Sequence, residues 1–89
     1  MVKLEYTRNA FTDLKSIRNN IAKDSVHFAK LSIIELRNKI EALKVFPETG
    51  TLIYPDKYKS LRQLLFKSYC IIYHFENNKV TIITVDRQS

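Results

Sequence analysis

Residues 60–89 read SLRQLLFKSYCIIYHFENNKVTIITVDRQS, and how this stretch divides into strands decides the fold. From Tyr58 onward there are three runs rich in β-branched and aromatic residues, YKSLRQLL, SYCIIYHF and KVTIITVDR. Between the last two, ENNK puts Asn77 and Asn78 where a two-residue hairpin turn needs positive φ, which asparagine tolerates better than other non-glycine residues. A β-meander is predicted. YCIIY is apolar at consecutive positions, as in a central strand covered on both faces, whereas the strand before it carries Lys59, Arg62 and Gln63.

Working outward, VKLEYT at 2–7 alternates Val2, Leu4 and Tyr6 against Lys3 and Glu5, the pattern of a strand with one buried face. Thr7 is the expected N-cap of a helix that ends near Lys23 and carries Phe11, Leu14, Ile17 and Ile21 on one stripe. Asp13 sits near the positive end of that helix, with Lys15, Arg18 and Asn19 outward. Asp24 or Ser25 begins a second helix in which Val26, Ala29, Ile33, Leu36, Ile40 and Leu43 recur at steps of three and four. Phe28, Leu31 and Ile34 widen this stripe, so the helix is expected to touch both its partner helix and the sheet, leaving Lys30, Arg37, Lys39 and Lys44 solvated. Phe46-Pro47 and Gly50 stop it, and PETGTLIYPD reads as a connecting loop. The predicted order is β-α-α-β-β-β, an α+β fold with a helical hairpin on one face of a largely antiparallel four-stranded sheet. Tyr, Lys and Arg on the partly covered opposite face would form a concave basic surface.

Eighty-nine residues, 45% hydrophobic and 27% charged, suit one globular domain spanning 1–89. Cys70 is the only cysteine, which excludes an intramolecular disulfide and favours a reducing cytoplasm. No apolar run approaches the ~20 residues of a membrane span, and Met1 leads into an alternating pattern that is unlike a signal peptide. A formal net charge of +6 favours an acidic partner, nucleic acid or an anionic protein segment, although surplus lysine also serves solubility.

A phosphate-cradling loop needs glycines, and the sole glycine, Gly50, cannot build one. Cys70 and His74 would lie on one strand face about 13 Å apart at ~3.3 Å per residue, too far to share a metal. His27 falls in the first turn of the second helix as a surface residue. No metal and no cofactor are expected. The densest signal is YPDKYKSLRQLLFK, where Lys57, Lys59, Arg62 and Lys67 interleave with Tyr54, Tyr58 and Phe66. Cations beside rings can hold phosphates and stack on bases, with Tyr58 a candidate stacking residue; edge strands also use lysine to discourage pairing. Arg62, beside the central strand, calls for an acidic partner.

With the arginine of LRQL, the YCIIYHF strand, the ENNKVTIITV hairpin and the preceding FPETG, the chain resembles the RelE/ParE superfamily of toxins from bacterial type II toxin–antitoxin modules. The resemblance covers essentially the whole chain. It implies a cognate antitoxin whose C-terminal segment wraps the toxin. It also implies one of two targets: messenger RNA in the ribosome, cut by RelE-like members, or DNA gyrase, poisoned by ParE-like members without known nuclease activity. A degenerate relative that only binds its antitoxin is a third reading. RNA cleavage needs a base, an acid and cations at the phosphate. Nuclease members place an arginine in the central strand and tyrosine or histidine in the tail; the matching positions here are Cys70 and the residues Asp86, Arg87, Gln88 and Ser89. Glutamine transfers no proton near neutrality, and ionised aspartate or serine is a poor substitute. The ParE-like branch is therefore favoured, with Lys57, Lys59, Arg62, Arg87 and Gln88 as candidate target-binding residues and no catalytic residue assigned. Lysine-based catalysis through Lys57, Lys59 or Tyr58 is the enzyme alternative.

Overall fold

The computed structural model describes residues 1–53 and 61–88. In order the elements are β1 (Lys3–Tyr6), α1 (Arg8–Ala22), α2 (Val26–Glu41) with a 3-10 turn at Ala42–Lys44, β2 (Thr51–Leu52), β3 (Leu61–Phe66), β4 (Tyr69–Glu76) and β5 (Lys79–Arg87). They form a five-stranded sheet in the order β1-β5-β4-β3-β2. β1 runs parallel to β5, and the remaining neighbours are antiparallel. The helical hairpin covers one face of the sheet as it carries the chain from β1 at one edge to β2 at the other, and the meander then returns so that β5 lies beside β1.

The α+β architecture and the meander agree with the expectation from sequence; the strand count does not. Thr51 and Leu52, expected within a loop, pair with Gln63 and Arg62 as a two-residue edge strand. So short a strand has no alternation to read, and it exists because β3 offers it unpaired backbone groups.

Each junction has a local cause. Thr7 Oγ1 accepts the Ala10 N–H at 3.0 Å, capping α1, and donates to the Ile83 carbonyl at 2.8 Å. Ser25 rather than Asp24 caps α2, accepting the Phe28 N–H at 3.1 Å. Asn77 and Asn78 have φ of 53° and 60°, the double positive φ of a type I′ hairpin. The tight β3–β4 connection instead strains a non-glycine residue, Lys67, at φ 55°. Its ammonium pairs with Glu35 of α2 at 2.8 Å.

Leu36, Ile40 and Leu43 beneath α2 meet Ile71, Val80 and Ile82 of the central strands, all at most 1% exposed. Ile17 of α1 completes this layer. The wider α2 stripe read from sequence is corrected: Val26, Phe28, Leu31 and Ile34 are 70%, 60%, 46% and 53% exposed. Ala29, Ile33, Leu36 and Ile40 already span the inward arc, and a helix about 10 Å across leaves its far side outside any two-layer contact. Lys39, expected to be solvated, is half-buried with its ammonium 5.9 Å from the centre of the Phe66 ring.

Candidate functional site

Of the residues singled out from sequence, the described ones do not share one surface: Arg62 lies at one end of the meander, Arg87 and Gln88 at the other. Tyr58, Lys57 and Lys59 lie outside the described residues. Arg62 stands opposite Tyr73 in the β3–β4 register, and Arg87 opposite Tyr69 in the β4–β5 register. Both tyrosines are buried beneath the helices, so both arginines project to the helical side of the sheet, not to its open face. Arg62 Nη1 donates to the Gly50 carbonyl at 2.7 Å and to the Glu48 carbonyl at 3.2 Å. Its Nη2 lies 3.5 Å from the Glu48 carboxylate, and the side chain is only 15% exposed. The acidic partner expected for this arginine is thus Glu48, joined by two loop carbonyls.

Tyr73 completes the same knot. Its hydroxyl donates to the Pro47 carbonyl at 2.7 Å and accepts the Gly50 N–H at 2.8 Å. Burial pushes the Tyr73 hydroxyl above the ordinary tyrosine pKa, against smaller lowering effects of the Gly50 N–H and the Arg62 charge. Here the glycine is obligatory. A Cβ on Gly50 would sit 2.7 Å from the Tyr73 Cε1 and hydroxyl oxygen and 2.9 Å from the Gln63 carbonyl oxygen.

At the other end of the meander, the Gln88 N–H donates to the Ser68 carbonyl at 2.6 Å, so the tail continues the β4–β5 pairing. Arg87 is exposed and, with Asp86, lines a shallow cleft against Ser16 and Asn20 of α1. Cys70 lies on the open face, its Sγ 3.8 Å from Gln63 Oε1 and Asp86 opposite it in register. Burial first, and the Asp86 charge second, raise the thiol pKa, so Cys70 stays protonated at neutral pH.

Alternation puts Leu61, Gln63 and Leu65 of β3 beside Cys70, Ile72 and His74 of β4 on the open face. Its described cations are Lys3 and Lys79 at the Asn77–Asn78 end, where they line a polar cleft with Glu76 and where Glu5 is 3.7 Å from Lys79. The described part of this face is therefore apolar and mixed in charge, not the basic surface expected.

Among the described residues, cations outside the ion pairs of Glu5, Glu35, Glu41 and Glu48 instead gather on the helical layer. Between α1, α2 and the end of β1 lies a cleft of about 210 Å³ with Tyr6, Leu14 and Ile33 at its base and Phe11 on its lip. Lys15, Arg18 and Arg37 surround it, and among the described residues no carboxylate lines it. Sequence reading took these cations as ordinary solvated residues. Their convergence needs three elements that are distant in sequence, so only the outward positions of Lys15 and Arg18, three residues apart on one helix face, gave a local signal.

A basic α+β domain with one cleft at its tail and another, bordered by cations, between its helices is the class these features define. A sequence model of the ParE toxin of type II toxin–antitoxin systems, parDE, matches residues 4–89, and the chain belongs to that family. No curated protein matches it. Among solved structures, the chromosomal ParDE toxin–antitoxin system from P. aeruginosa has a similar chain, with TM-score 0.82 at 18% identity over 100% of this chain and 98% of that one. The RelBE2 toxin–antitoxin complex from Mycobacterium tuberculosis gives TM-score 0.65 at 19% identity, covering 98% of both chains. A copper-bound mutant toxin from Helicobacter pylori gives 0.68 at 17% identity over 98% of this chain and 94% of that one. At these identities the likeness is one of fold.

Proposed function

We propose that this ParE-family toxin acts on DNA gyrase by binding, without bond-breaking chemistry of its own, and is neutralised by a cognate antitoxin. Support comes first from the Cys70 site. An RNA phosphate brought to the central strand would meet a neutral thiol, the Gln63 amide and the Asp86 carboxylate; the carboxylate repels the substrate, and none of the three brings a positive charge to the phosphate. Arg87 and Gln88, on a tail held in register by the Gln88–Ser68 hydrogen bond, are the proposed target contacts, with Lys57 and Lys59 added from sequence. Arg62 contributes by fixing the 47–50 loop.

The test pairs two assays on the purified protein. Supercoiling by gyrase should fall with increasing protein, while ribosome-bound transcripts remain intact. Site-specific cleavage of those transcripts, lost on substituting a single basic residue, would replace this reading with the ribosome-dependent endoribonuclease.

A further inference from the structure

We propose that Asp13 is a positioning residue for the target-binding tail: it holds the extra residue of β5 at Ile83, and this sets the face of the sheet on which Arg87 is presented. The inference rests on the reading of Arg87 as a target contact, but the register that Asp13 controls is measurable without it.

Along β5, Val80 and Ile82 point beneath the helices, both 0% exposed. Strict alternation would send Thr84 and Asp86 the same way and turn Ile83, Val85 and Arg87 to the open face. Beyond Ile82 the structure shows the reverse. Tyr73 stands opposite Ile82 and Ile72 opposite Thr84, so Ile83 is an additional residue without a counterpart in β4. This single bulge exchanges the two faces. Val85 enters the core at 2% exposure, and Arg87 stands opposite Tyr69 on the helical side.

The bulge falls where β5 loses its other neighbour. β1 pairs with β5 only as far as Tyr6 and Ile82, after which the chain turns into α1. From there to Arg87, among the described residues, no strand flanks β5 on that side, and its backbone groups facing away from β4 need other partners. Helix α1 supplies them. The Thr7 N–H donates to the Ile82 carbonyl at 3.0 Å and the Thr7 hydroxyl to the Ile83 carbonyl at 2.8 Å. Asp13 Oδ2 accepts the Val85 N–H at 3.0 Å and the Thr84 hydroxyl at 2.6 Å, standing in for the carbonyl of a neighbouring strand. Asn9, one turn earlier, donates to the same oxygen at 3.3 Å and steadies it.

Two registers therefore compete for the tail. The clamp and the burial of Val85 favour the bulged one, whereas pairing without a bulge favours the other. Without Asp13 the Val85 N–H loses its acceptor, and the additional residue is free to move toward the chain end. Asp86 would then stand opposite Tyr69, and Arg87 would leave the face on which it meets the target.

The test compares full-length wild type, Asp13→Ala, Asp13→Asn, and Asp13→Ala with Ile83 deleted. The deletion removes the additional residue itself, so plain alternation from Ile82 through Thr84 returns Val85 and Arg87 to the helical side with no clamp required. In 15N,13C-labelled samples, cross-strand nuclear Overhauser effects read the register directly. Asp13→Ala should lose Tyr69–Arg87 contacts and gain Tyr69–Asp86 contacts, while Phe75–Val80 contacts, before the bulge, persist. Asp13→Asn, which keeps an oxygen acceptor, and the deletion chain should both retain Tyr69–Arg87 contacts. Inhibition of gyrase supercoiling should follow the register: several-fold weaker in Asp13→Ala, as in Arg87→Ala, and no weaker when the two are combined. The deletion chain should recover inhibition to within about twofold of wild type. A mere loss of stability would not be repaired by removing Ile83, nor would it move contacts from one residue to the next. Unchanged Tyr69–Arg87 contacts in Asp13→Ala, or their absence from the deletion chain, would overturn the proposal. If Asp13→Ala does not fold, the deletion chain decides: it should fold with Tyr69–Arg87 contacts, and its failure to do so would be equally fatal. A register that shifts as expected in a protein to which gyrase is indifferent would leave the positioning role standing and remove only gyrase as the target.

Discussion

At the scale of single residues, the knot at the start of the sheet explains why the segment FPETG and the arginine of LRQL occur together. Arg62 and Tyr73 satisfy the carbonyls of Pro47, Glu48 and Gly50, and the Tyr73 oxygen accepts the Gly50 N–H, in a loop too short to satisfy these groups itself. Gly50→Ala forces a methyl against the Tyr73 ring and the Gln63 backbone, neither of which can yield easily. Overpacking of this kind costs about 1–3 kcal/mol, and breaking the Gly50–Tyr73 bond adds to it; a lowered urea midpoint at unchanged slope is the expected measurement. Arg62→Ala strips hydrogen bonds made by a charged group and should cost about 1.5–3 kcal/mol by the same measurement. Any loss of toxicity in that variant should then be recovered by growth at lower temperature, whereas loss in Arg87→Ala, at an exposed site, should not be.

Tyr73 also gives the fold a pH dependence whose sign is fixed. Its folded pKa is raised by burial, so the folded state holds the proton more tightly than the unfolded chain. The stabilisation is fully present below the ordinary tyrosine pKa of about 10 and is lost as pH climbs through the higher folded value. Denaturant midpoints measured upward from pH 9 should fall, and Tyr73→Phe, less stable at neutral pH for want of two hydrogen bonds, should show a shallower alkaline decline. Tyr6 titrates in the same direction and accounts for part of the slope that remains.

At the scale of elements, the two helix starts look alike in sequence and differ in what they hold. Ser25 only caps α2, so Ser25→Ala should cost about 1 kcal/mol. Thr7 caps α1 and also grips the Ile83 carbonyl at the bulge, where β5 carries one more residue than β4 between Ile82 and Thr84. One turn later Asp13 accepts from the Thr84 hydroxyl at 2.6 Å and the Val85 N–H at 3.0 Å. The helix is thus pinned on both sides of the bulge, and Thr7→Ala should cost about twice as much as Ser25→Ala, as thermal midpoints would show. The caps, the Asn77–Asn78 turn and the meander were legible because each depends on residues within a few positions of one another. The bulge was not, since it is set by helix side chains more than seventy residues away. Nor was the outward placement of Phe28, Leu31 and Ile34: apolar residues occupy so many angles around α2 that periodicity alone does not say which arc faces the core.

At the scale of the whole molecule, the net charge of +6 was plain from composition, but its location was not. Alternation predicted one exposed sheet face and invited the cations onto it; the register instead turns Arg62 and Arg87 to the helical side and leaves Leu65, Cys70 and Ile72 on the open face. Lys15, Arg18 and Arg37 instead concentrate positive charge on the opposite layer. If, as proposed, the tail cleft serves the target and the neutralising protein binds instead at the cation-bordered helical cleft, the two surfaces should respond differently to mutation. Arg87→Ala should weaken gyrase inhibition at least several-fold while leaving antitoxin affinity within about twofold, because a lone exposed contact contributes locally and distant sites behave independently. Arg37→Gln should do the reverse, and only its effect should shrink as salt is raised from 50 to 500 mM, since screening shortens the reach of the charge cluster it belongs to. Supercoiling assays and calorimetric titration with the antitoxin, run on both variants, would measure all four quantities. Loss of both activities in both variants would show that a single shared surface serves the two partners.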